Sequence, residues 1–549
     1  MNEAMPQAEA LALRGNKILA VGTAASVQRH KGPGTQIIDL NGRTLLPGFI
    51  DAHMHTAFVG QQSWLDVGPL STGTLTIQDA LAKIATAAAA LQPGQWLFAK
   101  LLDPALQPGD PVTSSVLDGV APNNPLFLIE DNQHVAYVNT KAFEAVGITK
   151  STPAPPQSRY VTDSNGELTG ELQEFPAFAA FFPFAPQPTG EAYEQAVLDL
   201  FDTASANGCT ALHDAGLGLG IGTAALGVVK NVMKKNPPLR LTACLVSDRM
   251  AEWEKLGVKP FDGDEKFKVI GMKFWTDGSL QAKSGYLSEP YLGTADNVGF
   301  LNYTTDVLIK QMAIAQKAGW PLEVHCNGDA AIDTGLIAFA SVLKEGADLN
   351  KRHRIEHCTL LYGDQIKQMQ RMNLSPCFLI GHVYYWGSAF RDVLLGADRA
   401  NHLDPCNSAL DAGLRISLTS DWNVTPLKPL SCIQNAVVRG LYDVTTGDAV
   451  PNATLNPAEC ITVEQAIKAV TLDAAWQCHI DHICGSLVPG KLGDLVILED
   501  DPTGVSPDTI GDIAISETWF NGVKRYPGPA GPVTFPNENL PVIDAGLPE

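Results

Sequence analysis

An α/β architecture, a (β/α)8 TIM-like barrel with a small β domain, is what this chain encodes, and three features point to it. Between about residues 48 and 484, eight short apolar runs alternate with amphipathic helical stretches, the pattern of βα units around a parallel sheet. Several of those runs end in His or Asp, as happens where the strands of a barrel converge on one mouth. β-rich segments at both ends read as one small β-sandwich domain assembled from residues 1–47 and 485–549.

The elements follow in order. Residues 8–22 alternate apolar and polar positions around an Arg14-Gly15-Asn16 turn, a hairpin, and 36–46 repeat the pattern. Barrel strands are expected at 48–55, 209–214, 239–246, 267–275, 321–326, 353–358, 374–378 and 414–421. Helices are expected at 191–206, 221–235, 306–318, 329–343 and 363–372. Residues from about 58 to 190 break the alternation, with Pro- and Gly-rich loops, an apolar run at 125–130 and a hairpin at 166–171. They read as an insertion after the first barrel strand that roofs the pocket and shapes substrate choice. Residues 493–498 and 517–524 are strand material, and the tail from Pro527 is expected to wrap the surface.

Composition narrows the function. Apolar content of 45% and a mean hydropathy near zero suit a soluble protein with a large core. A net charge of −21 argues against nucleic acid and anionic membranes as partners. No run approaches the ~18 apolar residues of a membrane span, and Met1-Asn2-Glu3-Ala4 opens no signal peptide. The ten cysteines include no CxxC pair, so reduced, buried thiols and a cytoplasmic location are expected.

Six residues read as a cage for two divalent metal ions: His53, His55, Lys273, His325, His357 and Asp421. His53 and His55 end the first strand and share a face, because side chains alternate with period two. His325, in Glu323-Val324-His325-Cys326-Asn327, and His357, in Arg354-Ile355-Glu356-His357-Cys358, each stand where strand gives way to loop. A hydrogen-bonded core histidine is the ordinary alternative for either alone; the HxH pair in the same barrel favours ligation. Asp421 closes the last strand, where a carboxylate needs a partner or a metal, and it is suited to take a proton from metal-bound water. Lys273 is the odd member, an ammonium that dications would repel. Either it pairs with Asp277, or it has reacted with carbon dioxide to give a carbamate that bridges two metals. His213-Asp214 is expected to support the barrel mouth, and Cys478-His479-Ile480-Asp481-His482-Ile483-Cys484 is weighed as a second zinc site and set aside.

The chain resembles the amidohydrolase superfamily, specifically its amidohydrolase-3 branch of YtcJ-like proteins and N-substituted formamide deformylases. The likeness lies in Leu46-Pro47-Gly48-Phe49-Ile50-Asp51-Ala52-His53-Met54-His55, Met272-Lys273 with Asp277-Gly278-Ser279-Leu280, His325-Cys326-Asn327-Gly328-Asp329-Ala330, Arg354-Ile355-Glu356-His357 and Ser420-Asp421-Trp422. Residues 485–496 resemble the superfamily's return into its β domain, and the likeness runs from about Ala8 to Lys524. The resemblance implies that His53, His55 and Asp421 hold one metal and His325 and His357 the other, with carboxylated Lys273 bridging and zinc as the expected ion. It implies a hydroxide between the metals attacking a polarised carbonyl, with Asp421 shuttling the proton to the leaving nitrogen. Glu130-Asp131-Asn132-Gln133-His134 resembles the family's Asp-Gly-His segment, which implies that His134 reaches the substrate. Asp277, Asp329, His382, Tyr385 and Trp422 are placed on loops over the pocket, as substrate contacts or as structural hydrogen-bonders. The family also implies one strand ahead of Met1 that is absent here, and a homodimer.

The reaction expected is hydrolysis of an amide-type C–N bond in a small molecule such as an N-substituted formamide or N-acyl amine. Deamination of a cyclic amidine is the first alternative; those branches generally use one metal and no bridging lysine. An ester or lactone hydrolase would use the same machinery, and a non-catalytic scaffold would have lost ligands that this chain keeps.

Overall fold

The computed structural model describes residues 5–186, 188–343 and 349–527. Its centre is an eight-stranded parallel sheet in which sequence neighbours pair throughout. The strands are β1 (Phe49–Met54), β2 (Cys209–Leu217), β3 (Arg240–Val246), β4 (Phe267–Trp275), β5 (Leu322–Cys326), β6 (Arg354–His357), β7 (Ser375–Phe378) and β8 (Ser417–Leu418). Nearly every residue in them is buried, as a sheet covered on both faces requires, and this is why they read as continuous apolar runs. Around them lie α1 (Glu191–Ala206), α2 (Ala224–Lys234), α3 (Met250–Lys255), α4 (Thr305–Lys317), α5 (Asp329–Val342), α6 (Gly363–Met372), α7 (Gly381–Ala389) and α8 (Pro429–Val438).

The ring closes between β1 and the chain just beyond β8. Asp421 N donates to His53 O at 3.0 Å and His55 N to Trp422 O at 3.2 Å, and Met54 bridges Trp422 in the parallel sense. The expected strand at 414–421 is thus reduced to two ladder residues. The cause is local. Ser420 Oγ donates to Asp51, Thr425 Oγ1 donates to Ser420 O, and Asp421 takes φ +48°, which draws the chain out of the ladder.

The segment between β1 and α1 is the long insertion, and it is more ordered than its loops suggest. It holds a six-stranded mixed sheet whose strands include Leu97–Leu102, Leu126–Glu130, Val135–Val138 and Leu168–Gln173. Helices Ile77–Ala89, Ser114–Val120 and Thr140–Val146 accompany it. It has two apolar clusters of its own, one of them aromatic around Trp64, Phe98, Phe127, Phe178 and Phe181.

Both ends contribute to a four-stranded antiparallel sheet ordered Val523–Tyr526, Ile515–Phe520, Leu495–Leu498, Thr44–Pro47. The hairpin Ala10–Arg14 with Lys17–Gly22 is tied to it where Ile18 N donates to Lys491 O at 2.8 Å. Of the expected 36–46 pattern only Thr44 onward is strand; Asp39 instead accepts from Asn41 N in a local turn. The tail expected to wrap the surface lies, after Pro527, outside the described residues. Among the described residues no helix is long and apolar enough to cross a membrane.

Candidate active site

Strand periodicity and backbone conformation together aim side chains into the barrel mouth. Asp51, His53 and His55 alternate on β1 and its end, Glu323 and His325 on β5, Arg354 and Glu356 on β6. His357 is out of phase with Arg354 and Glu356, and its φ of +69° marks the backbone turn at the end of β6. Positive φ recurs at Cys358 (+50°), Asp421 (+48°), Gln133 (+65°) and Glu174 (+71°), so conformations rare outside glycine gather at this mouth.

The six residues of the expected cage come together. His53 Nε2 lies 3.6 Å and His55 Nε2 3.3 Å from Asp421 Oδ1. His357 Nδ1 is 3.9 Å from Asp421 Oδ2, and the His325 and His357 ring centroids are 4.6 Å apart. Donor atoms of His53, His357 and Asp421 all lie within 4.8 Å of one another. Tetrahedral donors about 2.0–2.1 Å from a zinc ion stand about 3.3–3.4 Å apart, so the closest of these separations fit a shared cation. Asp421 Oδ1 is buried without a hydrogen bond, which also fits. Burial and the surrounding cations hold His53, His325 and His357 well below the ordinary imidazole pKa, the neutral state that a metal ligand needs.

Lys273 is fully buried, with Nζ 3.3 Å from His53 Nε2. Among the described residues no carboxylate lies in ion-pair range of it. Asp277, the partner weighed for it, instead accepts from the backbone N–H of Tyr286, Asn327 and Gly328 at 2.9–3.0 Å. Burial nevertheless pushes Asp277 up to about 7 against those three bonds.

Hydrogen bonds behind the imidazoles choose which nitrogen faces inward. His53 Nδ1 is 2.5 Å from Glu356 Oε2, leaving Nε2 for the centre. His325 Nε2 meets Gly278 O at 3.1 Å, leaving Nδ1 free. His55 Nδ1 is the exception: it faces Asp214 at 3.9 Å, beyond hydrogen-bond range. Deeper in the barrel Arg354 pairs with Glu356 and Glu323, each at 2.9 Å. Glu323 also meets His213 Nε2 at 3.1 Å, and His213 Nδ1 lies 2.8 Å from Thr242 Oγ1. Burial alone would raise Glu323, but Arg354 and His213 pull it below the ordinary carboxylate range. His213 therefore belongs to the barrel interior. The segment 478–484 brings no group of ligand atoms together among the described residues.

A cavity of about 140 Å³ opens above this centre. His55, His325, His357 and Asp421 line it; His53 and Lys273 lie behind. Its walls come largely from the insertion and mix apolar side chains, Phe58, Trp64, Phe175 and Phe182 with Tyr193 and Trp275, with polar ones such as Gln61, Asn132 and Gln133. Of the expected substrate contacts, His134 lines the cavity and the other five do not. Asp277 is the loop anchor just described. Asp329 accepts from Ser288 N at 3.0 Å, and Trp422 helps to close the barrel through its carbonyl. His382 is buried beside Thr359 Oγ1 at 3.2 Å, where burial lowers its pKa to about 3. Tyr385 packs on Tyr442, with ring centroids 5.5 Å apart. The residues that sequence reasoning missed are Glu356, Arg354, Glu174 and Asn302. Charged residues two apart within a buried strand could have signalled the first two; no local signal marks the others.

The amidohydrolase family's sequence model matches residues 36–526. The N-substituted formamide deformylase of Arthrobacter pascens is 27% identical over 540 residues, spanning 94% of this chain and 95% of the relative. The putative amidohydrolase YtcJ of Bacillus subtilis is 26% identical, spanning 91% and 92%. A crystal structure of an uncharacterized metal-dependent hydrolase from Pyrococcus horikoshii shares the fold, with TM-score 0.68 over 90% of this chain and 94% of that one at 21% identity.

Proposed function

The chain belongs to the amidohydrolase family and is a hydrolase acting on carbon–nitrogen bonds, and from that premise we propose that it cleaves the amide-type bond of a small molecule with two divalent ions, zinc by preference. His53, His55 and Asp421 would hold one ion, His325 and His357 the other, and Lys273 would bridge them as a carbamate formed with carbon dioxide. The observation that carries this reading is Lys273, fully buried 3.3 Å from His53 Nε2 with no carboxylate in ion-pair range among the described residues. A bare ammonium there has the Trp275 ring centroid 5.2 Å from Nζ but no carboxylate partner among the described residues; a carbamate would be an anionic oxygen ligand.

When bound, the ions supply Lewis acidity, polarising the amide carbonyl and making water a nucleophile at neutral pH. The protein does the rest. Asp421, on the cavity wall, accepts the proton of the attacking water and delivers it to the amide nitrogen as the C–N bond breaks, releasing a carboxylic acid and an amine. Glu356 holds His53 with Nε2 inward. The aromatic wall excludes water from the apolar substituent and favours amides that carry one.

The test is metal analysis beside a panel of N-substituted formamides and N-acyl amines assayed with added zinc. About two ions per chain and release of acid and amine are expected. One tightly held ion, with ammonia released from aminopyrimidines and no acyl product, would replace this reading by deamination.

A further inference from the structure

One chain of hydrogen bonds crosses from the insertion to the barrel loops at the cavity. His134 Nδ1 lies 3.1 and 3.0 Å from the two carboxylate oxygens of Glu174. Glu174 Oε2 accepts from Asn302 Nδ2 at 3.3 Å, and the same Nδ2 reaches Asp277 O at 3.3 Å. The backbone reinforces this, since Glu174 N donates to His134 O at 2.8 Å and Asn302 N to Thr276 O at 2.7 Å. His134, Glu174 and Asn302 come from distant parts of the chain and all line the cavity.

The surroundings are shaped around the carboxylate. Glu174 is only 4% exposed and holds φ +71°, a region that side chains other than glycine's rarely enter. A Cβ at position 278 would stand 2.6 Å from Glu174 Oε1, so glycine there leaves the carboxylate its place. With Nδ1 of His134 engaged by Glu174, Nε2 is the ring nitrogen left for a ligand. The ring stands beside His325, centroids 4.9 Å apart, so that nitrogen serves the same space as the candidate centre.

We propose that Glu174 is a positioning residue for the amide hydrolysis proposed above: it fixes the ring of His134 so that Nε2 hydrogen-bonds the scissile amide group. This rests on that functional reading. Glu174 itself does not touch the reacting atoms; His134 does.

The experiment uses the zinc-loaded full chain and a formamide that the wild type hydrolyses. Glu174→Gln keeps the size of the side chain and removes the charge. It is expected to lower kcat/KM roughly 10- to 100-fold, as loss of an orienting partner does, with metal content unchanged. His134→Ala should fall by a similar factor, and the double variant should be no worse than His134→Ala alone, because both remove one hydrogen bond. Asn302→Ala, which leaves the His134–Glu174 pair in place, should lose less, and that loss should vanish in a His134→Ala background; this arm stands even if Glu174→Gln folds poorly. Full kcat/KM in Glu174→Gln, or losses that simply multiply in the double variants, would overturn the inference. A wild type inactive on every amide would overturn the functional reading instead.

Discussion

Deep in the barrel, Arg354 is ion-paired at 2.9 Å to both Glu323 and Glu356; at the mouth, Lys273 Nζ lies beside an imidazole nitrogen and over the Trp275 ring, with no carboxylate in ion-pair range among the described residues, and Asp421 Oδ1 has no hydrogen bond. Both layers are buried polar groups on the same eight strands. The lower one is ion-paired within itself, with Arg354 between two carboxylates and His213, held by Thr242, meeting Glu323. The upper one has three imidazoles held neutral by burial, a fourth, His55, raised against its burial by Asp214 and Asp421, and a lysine and a carboxylate, and a cation would complete it. Burial of polar groups therefore does not by itself point to a functional layer; a buried cation without a carboxylate partner among the described residues does. Glu356 joins the layers, holding Arg354 on one side and His53 on the other.

The largest effect should come from breaking the upper layer at its centre. Lys273→Ala is expected to abolish turnover and lower the bound metal, measured by elemental analysis, while the fold survives in circular dichroism. Breaking the lower layer should do the reverse. Arg354→Met strands two buried carboxylates and is expected to destabilise the fold by about 3–5 kcal/mol, read as a fall in Tm before any metal is removed. The shared residue should show both signatures in milder form. Glu356→Gln is expected to weaken zinc affinity roughly 10- to 100-fold in chelator competition, with a smaller loss of stability.

These contrasts match what was legible in the sequence. His53, His55, His325, His357 and Asp421 could be found because each ends an apolar run, and a barrel sends such ends to one place. Arg354 and Glu356 were visible as residues but not as a layer, because their partners come from β1 and β5. Glu174 and Asn302 gave no sign, since only the folded chain brings 134, 174 and 302 together. Asp329 and Tyr385 show the converse: they stand in α5 and α7 rather than on loops, and position after a strand does not say which way a side chain turns. Of the insertion's own sheet only the run at 125–130 and the hairpin at 166–171 were read, because short strands between Pro- and Gly-rich connections carry too little periodicity.

The smallest predicted effect lies in that insertion, away from both layers. Burial pushes Glu130 up to about 8, against hydrogen bonds from Tyr137 and Asn132. A carboxyl whose pKa is raised by folding contributes stability below its unfolded value and loses it as pH rises through the folded one. Tm should therefore drift down between roughly pH 4.5 and pH 8 for this group, and Glu130→Gln should flatten that drift in a series of melts across pH. A steeper drift in the variant would show that another group carries it.

The seam of the barrel has a consequence for biosynthesis. Asp51 and Ser420, which bond across it, are 369 residues apart, and His53 and Asp421 stand beside them. At about 5–20 residues per second, a ribosome separates their emergence by roughly 20–70 s. Through that interval a nascent chain carries the HxH pair without Asp421 opposite it, so the proposed site stays incomplete until nearly the whole barrel has been made.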